Sequence, residues 1–305
     1  MRAVLVVNPA ATTTTDRVRE VISAALGHAL DVDVVTTKSR GHAHEIAAEA
    51  IGRVDLVVAL GGDGTVNEVA NGLLAAGPGP HVPRLGIIPG GSTNVSARAL
   101  GLPDDPVEAT GALLNALTRD RERAIGLGRA DDRWFLFSAG MGFDAAVIAA
   151  VESDRSRGRS SSHPRFLVRA VQTFFAELDR ATPALTVETR SRTESGLFMA
   201  IVQNTTPWTF LANRQVTACP DASFDTALDL FAMRSLRTRQ TLLAASELLG
   251  GSLRRGTKSL RLHDQPWIRL RATEPQPVHL DGDYLGEKAE WDLTWTPDAL
   301  RIVAG

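Results

Sequence analysis

Two short glycine-rich runs carry the clearest chemistry in this chain. Gly61-Gly62-Asp63-Gly64-Thr65 follows an apolar run, Asp55 to Leu60, and precedes Val66, Val69, Ala70 and Leu73 at helical spacing. Glycines at a strand-to-helix junction let main-chain N–H groups approach phosphate oxygens, because no side chain blocks them and positive φ is open to them. The run is not a Walker loop, since it lacks Gly-Lys-Ser/Thr, and it is not the spaced-glycine dinucleotide fingerprint. The same residues also suit a plain tight turn. The aspartate among the glycines argues for more. A carboxylate facing phosphates is unfavourable unless it holds Mg²⁺ or a hydroxyl, which makes Asp63 a candidate metal-site residue. A side chain at Gly62 is expected to block the phosphate approach more than it disturbs stability.

Pro89-Gly90-Gly91-Ser92-Thr93-Asn94 repeats the arrangement after the apolar run Leu85 to Ile88. Two such loops at the carboxyl ends of neighbouring parallel strands line one crevice, where ligands bind in open α/β sheets. The plainer alternative is a glycine turn in which Ser92 or Thr93 caps a helix. Near the end of the chain, Asp281-Gly282 has the composition of a hairpin turn. His42 and His44 lie two apart at a helix start and do not face one another, so they read as cap and surface residues rather than a metal pair.

The elements that must position these residues follow from periodicity. Ala3 to Val7, Val32 to Val35, Asp55 to Leu60 and Leu85 to Ile88 are short apolar runs, as expected of strands buried on both faces. Between them, Val18, Val21, Ile22, Ala25 and Leu26 recur at helical spacing, and Ala43 to Ile51 reads as a second helix with Ser39 as N-cap. Strands alternating with helices through Leu117 predict a parallel, doubly wound α/β domain over residues 1–122. From Arg123 the pattern changes to closely spaced strands: Trp134 to Phe137, Leu185 to Thr189, Phe198 to Val202, Leu228 to Met233, Ile268 to Arg271 and Val278 to Leu280. These predict an antiparallel, strand-rich domain over 123–285, interrupted by helices at Phe166 to Leu178 and Thr241 to Leu249, with Ser153 to His163 as a surface loop. Residues 286–305 are assigned to a C-terminal segment returning to the first domain.

Composition narrows the classes. With 305 residues, 44% hydrophobic and 22% charged, the chain is globular and long enough for two cores. Lys and Arg total 33 against 35 for Asp and Glu, so no global positive charge points to nucleic acid. The single cysteine, Cys219, cannot form an internal disulfide, which fits a reducing cytoplasm. The five-residue apolar run near Met1 is too short for a signal-peptide core, and no stretch reaches the roughly 18 consecutive apolar residues of a membrane span.

The motifs together resemble the diacylglycerol kinase catalytic domain in its bacterial lipid-kinase branch. The resemblance rests on Asn8-Pro9, Thr37 before Gly41-His42-Ala43, Gly61 to Val69, Ile88 to Asn94, Gly140-Met141-Gly142-Phe143-Asp144-Ala145 and Leu280-Asp281-Gly282-Asp283, and it covers almost the whole chain. It implies a first domain like those of phosphofructokinase and NAD kinase, a β-sandwich-type second domain, and ATP in the cleft between them. It further implies that Asn8, Thr37, the loop Gly61, Gly62, Asp63, Gly64, Thr65 to Asn67, and Ser92 touch the nucleotide. Asp281 would be the general base and Asp63 would help hold Mg²⁺ or nucleotide. Ser92 stands where the family usually has threonine. Asp283, the third candidate catalytic carboxylate, stands where it usually has glutamate.

The family often carries a structural metal on an Asp-Asp-Gly run; the corresponding stretch here, Pro220 to Asp229, lacks the second Asp and the Gly, so no structural metal is assigned to Asp225. The implied activity is ATP-dependent phosphorylation of a lipid hydroxyl, diacylglycerol by default, to give a phospholipid such as phosphatidic acid. Such an enzyme is cytoplasmic and visits the inner membrane face transiently; Arg155, Arg157, Arg159 and Arg165 beside Phe166 and Leu167 are the expected contact. A homodimer is left open. Two rivals stand beside this reading: an NAD kinase-like phosphotransferase, which shares the Gly-Gly-Asp-Gly loop, and an inactive nucleotide- or lipid-binding regulator.

Overall fold

The computed structural model describes residues 1–13, 15–143, 145, 146, 148, 149, 183–211, 214–250 and 258–304. The expected helix Phe166 to Leu178, the stretch Ser153 to His163, Asp144 and the four arginines from Arg155 to Arg165 lie outside the described residues. The chain divides into two compact units, Met1–Leu127 with Pro297–Gly305, and Gly128–Thr296.

The first unit alternates strand and helix: β1 (Arg2–Val7), α1 (Asp16–Ala29), β2 (Asp31–Thr36), α2 (His42–Ala50), β3 (Leu56–Gly61), α3 (Asp63–Leu73), β4 (Arg84–Pro89), α4 (Val95–Ala99) and α5 (Pro106–Thr118). Its strands are parallel in the order β4-β3-β1-β2, with Ala3 opposite Leu56 and Val32, and Leu60 opposite Ile88. Alternate residues of a strand face opposite sides of the sheet. In β1 and β3 both sets are buried, so these central strands are covered on both faces, whereas β2 at the edge is largely exposed, with Val34 turned to solvent. One face packs Leu5, Leu56 and Val58 against Ile22 and Leu26 of α1 and Leu113 of α5. Ile22 and Leu26 are fully buried, each contributing about 1.5–3 kcal/mol of burial energy.

Helix starts show which local signals win. Thr15 caps α1 by accepting from Val18 N, and Asp105 caps α5 by accepting from Val107 N and Glu108 N, with Pro106 next. Ser39 does not cap α2. Gly41 holds that position at φ 86°, and its N–H donates to Glu68 Oε1 of α3 at 2.9 Å, so a carboxylate from a neighbouring helix satisfies the end.

The second unit is strand-rich and antiparallel. β5 (Arg123–Ala130) leads the chain into it, followed by β6 (Arg133–Phe135), β7 (Ser138–Gly142), β8 (Leu185–Thr189), β9 (Thr193–Leu197), β10 (Met199–Gln203), β11 (Thr209–Leu211), β12 (Arg214–Val216) and β13 (Leu228–Met233). Helix α6 (Thr238–Gly250), β14 (Ser259–Gln265), β15 (Trp267–Leu280) and β16 (Asp283–Ile302) complete it. The order is β14-β13-β10-β7-β15-β16, with β8 beside the first half of β15 and β7 beside its end. Ile268 to Arg271 and Val278 to Leu280, separate runs in the sequence, are one strand whose register shifts between Arg271 and Gln276.

Residues 286–296, assigned from sequence to the returning segment, stay in the second unit because β16 pairs with β15 from Asp283 to Thr294. Only the last residues rejoin the first unit, where Ile302 lies opposite Leu85 of β4 and Val303 N donates to Leu85 O. Among the described residues, no helix is long and apolar enough to cross a membrane.

Candidate active site

The four strands of the first unit run parallel, so their carboxyl ends share one edge of the sheet. Asn8 follows β1, Thr37 follows β2, Gly61 ends β3 and opens the Asp63 loop, and Ser92 lies in the loop after β4. Every nucleotide-contact residue expected from the sequence therefore stands at this edge or in the first turns of α3, the position at which open α/β sheets bind ligands.

The two glycine loops are packed together. Gly90 N donates to Gly61 O at 2.8 Å. A Cβ on Gly62 would stand 3.2 Å from Gly91 Cα, and one on Gly91 would stand 2.8 Å from Gly62 Cα. This corrects the expectation for Gly62: a side chain there disturbs packing between the loops before it meets any ligand. Gly64 differs, being exposed, with no atom of the described residues beyond its own helical turn within 4 Å of where its Cβ would stand. It is the position in the run that lies open at the start of α3.

Asp63 ties one loop to the other. Its Oδ2 accepts from Val95 N and its Oδ1 from Ser96 N, both at 2.9 Å, so the carboxylate holds the start of α4. Burial of the carboxyl pushes its pKa above the ordinary range, the Val95 and Ser96 bonds pull it down, and nearby Asp104 pushes it up again. Each oxygen accepts one of these main-chain bonds and has a second lone pair.

Other polar contacts lock the edge. Asn8 Nδ2 donates to the buried Thr65 Oγ1 at 2.9 Å, and Thr37 N donates to Val7 O. Asn67 is buried and accepts from Asn71 Nδ2, which places it in the frame of α3, whereas Ser92 is exposed. Neither Ser92 nor Thr93 caps α4. Asn94 occupies the N-cap position in the left-handed region at φ 48°, its Oδ1 accepting from Gly91 N and its Nδ2 donating to Gly91 O and Asp104 Oδ1, while Asp63 accepts from the first N–H groups of the helix. Asn94 and Asp104 were not singled out from sequence. Asn94 had a signal, because a left-handed residue after glycines favours Asn.

Asp281 and Asp283 belong to the second unit. Asp281 and Gly282 have φ of 46° and 83° and join β15 to β16 with Leu280 opposite Asp283, a two-residue hairpin turn as the dipeptide suggests. The Asp281 side chain does more than turn the chain. It is 6% exposed, and its carboxylate accepts from Leu136 N at 2.7 Å through Oδ2 and from Phe137 N and Ser138 N, both at 2.9 Å, through Oδ1. Charge-assisted bonds to main-chain donors are strong, and here they fix the direction in which the carboxylate points. Asp283 pairs with Arg133, Oδ2 to Nη2 at 2.8 Å. In the Pro220 to Asp229 stretch, Asp225 is exposed with its Oδ2 3.5 Å from Ser223 Oγ, and Asp229 is buried against His263 and Asp264 N.

Residues 2–129 match the model of the diacylglycerol kinase catalytic domain. Over 298 residues the chain is 31% identical to a Pseudomonas aeruginosa protein described as "Probable lipid kinase YegS-like", an alignment covering 94% of this chain and 89% of that protein. The chain belongs to the diacylglycerol kinase catalytic-domain family. A Bacillus subtilis diacylglycerol kinase is 40% identical over 108 residues, 35% of this chain, and the match spans about a third (33%) of that relative's length. A crystal structure described as a diacylglycerol kinase from Bacillus anthracis superposes with a TM-score of 0.72 at 20% identity, covering 100% of this chain and 97% of that one, which establishes a shared fold. The family match spans all the loops of the glycine edge, from Asn8 to Ser92.

Proposed function

We propose that this lipid kinase transfers the terminal phosphoryl group of ATP to the hydroxyl of diacylglycerol, giving phosphatidic acid and ADP. The observation that carries the reading is the shared edge of β1 to β4, where Gly64 lies open at the head of α3 beside the carboxylate of Asp63. A phosphate oxygen can approach Gly64 without displacing any protein atom.

In the reaction the acceptor oxygen forms a bond to the terminal phosphorus, the bridging P–O bond breaks, and ADP leaves with the bridging oxygen. The protein's work is placement and charge. Asn8, Thr37, Gly64 and Ser92 hold the phosphates and ribose, while the buried Thr65 and Asn67 brace the start of α3 and the Asn8–Thr65 bond keeps the β1 and α3 sides of the edge in register. Asp63 fits Mg²⁺: it offers hard oxygen ligands and sits with Asp104 where positive charge is favourable. Bound there, the ion would neutralise charge on the phosphate oxygens. Asp281 takes the proton of the attacking hydroxyl, its carboxylate held in place by the Leu136, Phe137 and Ser138 N–H groups. Asp283 is paired with Arg133, which holds its carboxylate at the head of β16 two residues after that base.

The test is ADP release with ATP and Mg²⁺ against dispersed diacylglycerol, a sphingoid base and NAD⁺, with and without a chelator. Diacylglycerol-dependent, chelator-sensitive ADP release is expected. Turnover on NAD⁺ alone, or ATP binding with no turnover on any acceptor, would defeat the proposal.

A further inference from the structure

Helix α6 carries two buried polar side chains on its inward face and an exposed leucine on its outward face. Its inward positions, Gln240, Ala244 and Glu247, include two polar side chains that are buried and bonded. Gln240 Oε1 accepts from Lys258 N, and Glu247, 1% exposed, accepts from Arg261 Nη1 at 2.6 Å through Oε1. Arg261 is itself held, its Nε donating to Ala218 O and its guanidinium lying 5.2 Å from the centre of the Phe231 ring. These bonds fix the rotation of the helix about its axis. At 100° per residue, the face turned outward is Thr238, Arg239, Leu242, Ala245, Ser246 and Leu249. Leu242 is 65% exposed, the largest value for a large hydrophobic side chain among the described residues.

A surface helix ordinarily turns its leucines inward and its charges outward. Here the helix's single acid, Glu247, is inside with Arg261, Leu248 packs on the core beside Ala244, and Leu242 is outside. Arg237 and Arg239, at the start of α6, are exposed, and neither pairs with a carboxylate among the described residues. At the other end, the exposed Arg214 donates to Leu249 O. The outer face thus offers Leu242, with Ala245 and the partly buried Leu249 behind it, flanked by cations and carrying no anion, the composition that suits an interfacial helix on anionic lipid. A second copy of the chain is a poorer occupant, because a twofold pairing of this face would bring arginines toward arginines with no acid between them.

We propose that the outer face of α6 docks on an anionic bilayer, with Leu242 entering the headgroup boundary and Arg237 and Arg239 on lipid phosphates. The proposal rests on the lipid-kinase reading for its purpose, but its test does not depend on turnover.

The full chain is sedimented with vesicles of phosphatidylcholine alone and with phosphatidylglycerol added, at low and high salt. The parent should bind the anionic vesicles and lose them as salt rises. Leu242→Gln and the double change Arg237→Ser with Arg239→Ser should each lower the partition coefficient about tenfold while leaving the thermal midpoint unchanged, since these side chains are exposed. Turnover on a short-chain, water-soluble diacylglycerol should be the same for all three proteins. Absence of that turnover with docking intact sinks the lipid-kinase reading and leaves the surface standing. Equal partitioning of parent and variants, or a Leu242-dependent dimer by analytical ultracentrifugation without vesicle binding, overturns the docking surface.

Discussion

Gly62 and Gly91 meet main chain to main chain, so close that a Cβ added to Gly91 would stand 2.8 Å from Gly62 Cα. Glycine is thus required here by the neighbouring loop. Gly91→Ala should destabilise by about 1–3 kcal/mol through overpacking, seen as a lower thermal midpoint without ligand. An unchanged midpoint would show that the loops are not packed this way.

Gly64→Ala separates the ligand role from packing. Its Cβ meets nothing, and alanine in the first turn of α3 should raise stability by about 0.5–1 kcal/mol. Calorimetric titration should nonetheless show weaker ATP binding, because the added methyl occupies the space of a phosphate oxygen. Normal affinity in this variant would remove the phosphates from α3.

Asp281→Asn should lower turnover by about 10²- to 10⁴-fold. It should also cost about 1–3 kcal/mol of stability, since the new NH₂ faces a main-chain N–H where a carboxylate oxygen accepted one. The pH–rate profile of the folded fraction decides between the effects: loss of the acidic limb points to the base, whereas a parallel profile at lower amplitude points to disturbed structure.

Asp283→Ala should cost under about 1 kcal/mol, as its pair with Arg133 is half-exposed. Its turnover should fall less than that of Asp281→Asn. A larger loss than at Asp281 would exchange the roles of the two carboxylates.

Burial holds the Cys219 thiol well above its ordinary pKa. In the native protein it should resist a thiol reagent at pH 8 and react on denaturation. Unfolding lets the thiol ionise near pH 8.5, so stability from this group is complete below that value and falls above it by about 1.4 kcal/mol per pH unit until the folded pKa is reached. Urea unfolding of parent and Cys219→Ala from pH 8 to 10 should diverge accordingly; parallel pH dependences would contradict it.

The glycine edge was legible in the sequence because its signals are local. Apolar runs ending in Gly-Gly place loops at strand ends, and parallel order then puts them on one edge. What was not legible depends on partners distant in the chain. Glu68 replaces Ser39 at the head of α2, and Asn94 with Asp104 braces the second loop. Asp281 reads as a turn dipeptide until the bend between β6 and β7, some 140 residues earlier, supplies its three N–H donors. Strand β7, Ser138–Gly142, was missed because a glycine-rich run has little intrinsic strand preference; pairing with β10 and β15 makes it a strand. The register shift in β15 and the length of β16 are likewise products of pairing.

The bond of Val303 N to Leu85 O and the pairing of Ile302 with Leu85 have a consequence for biosynthesis. The first unit is assembled from both ends of the chain, so on the ribosome β4 is made more than 200 residues before the strand that covers its edge. Until that strand is made and placed, the edge is an open template for pairing with another nascent chain. The unit that holds the glycine loops is therefore closed after the second unit is made, and a chain cut after Thr296 would keep the whole second unit yet leave β4 uncovered.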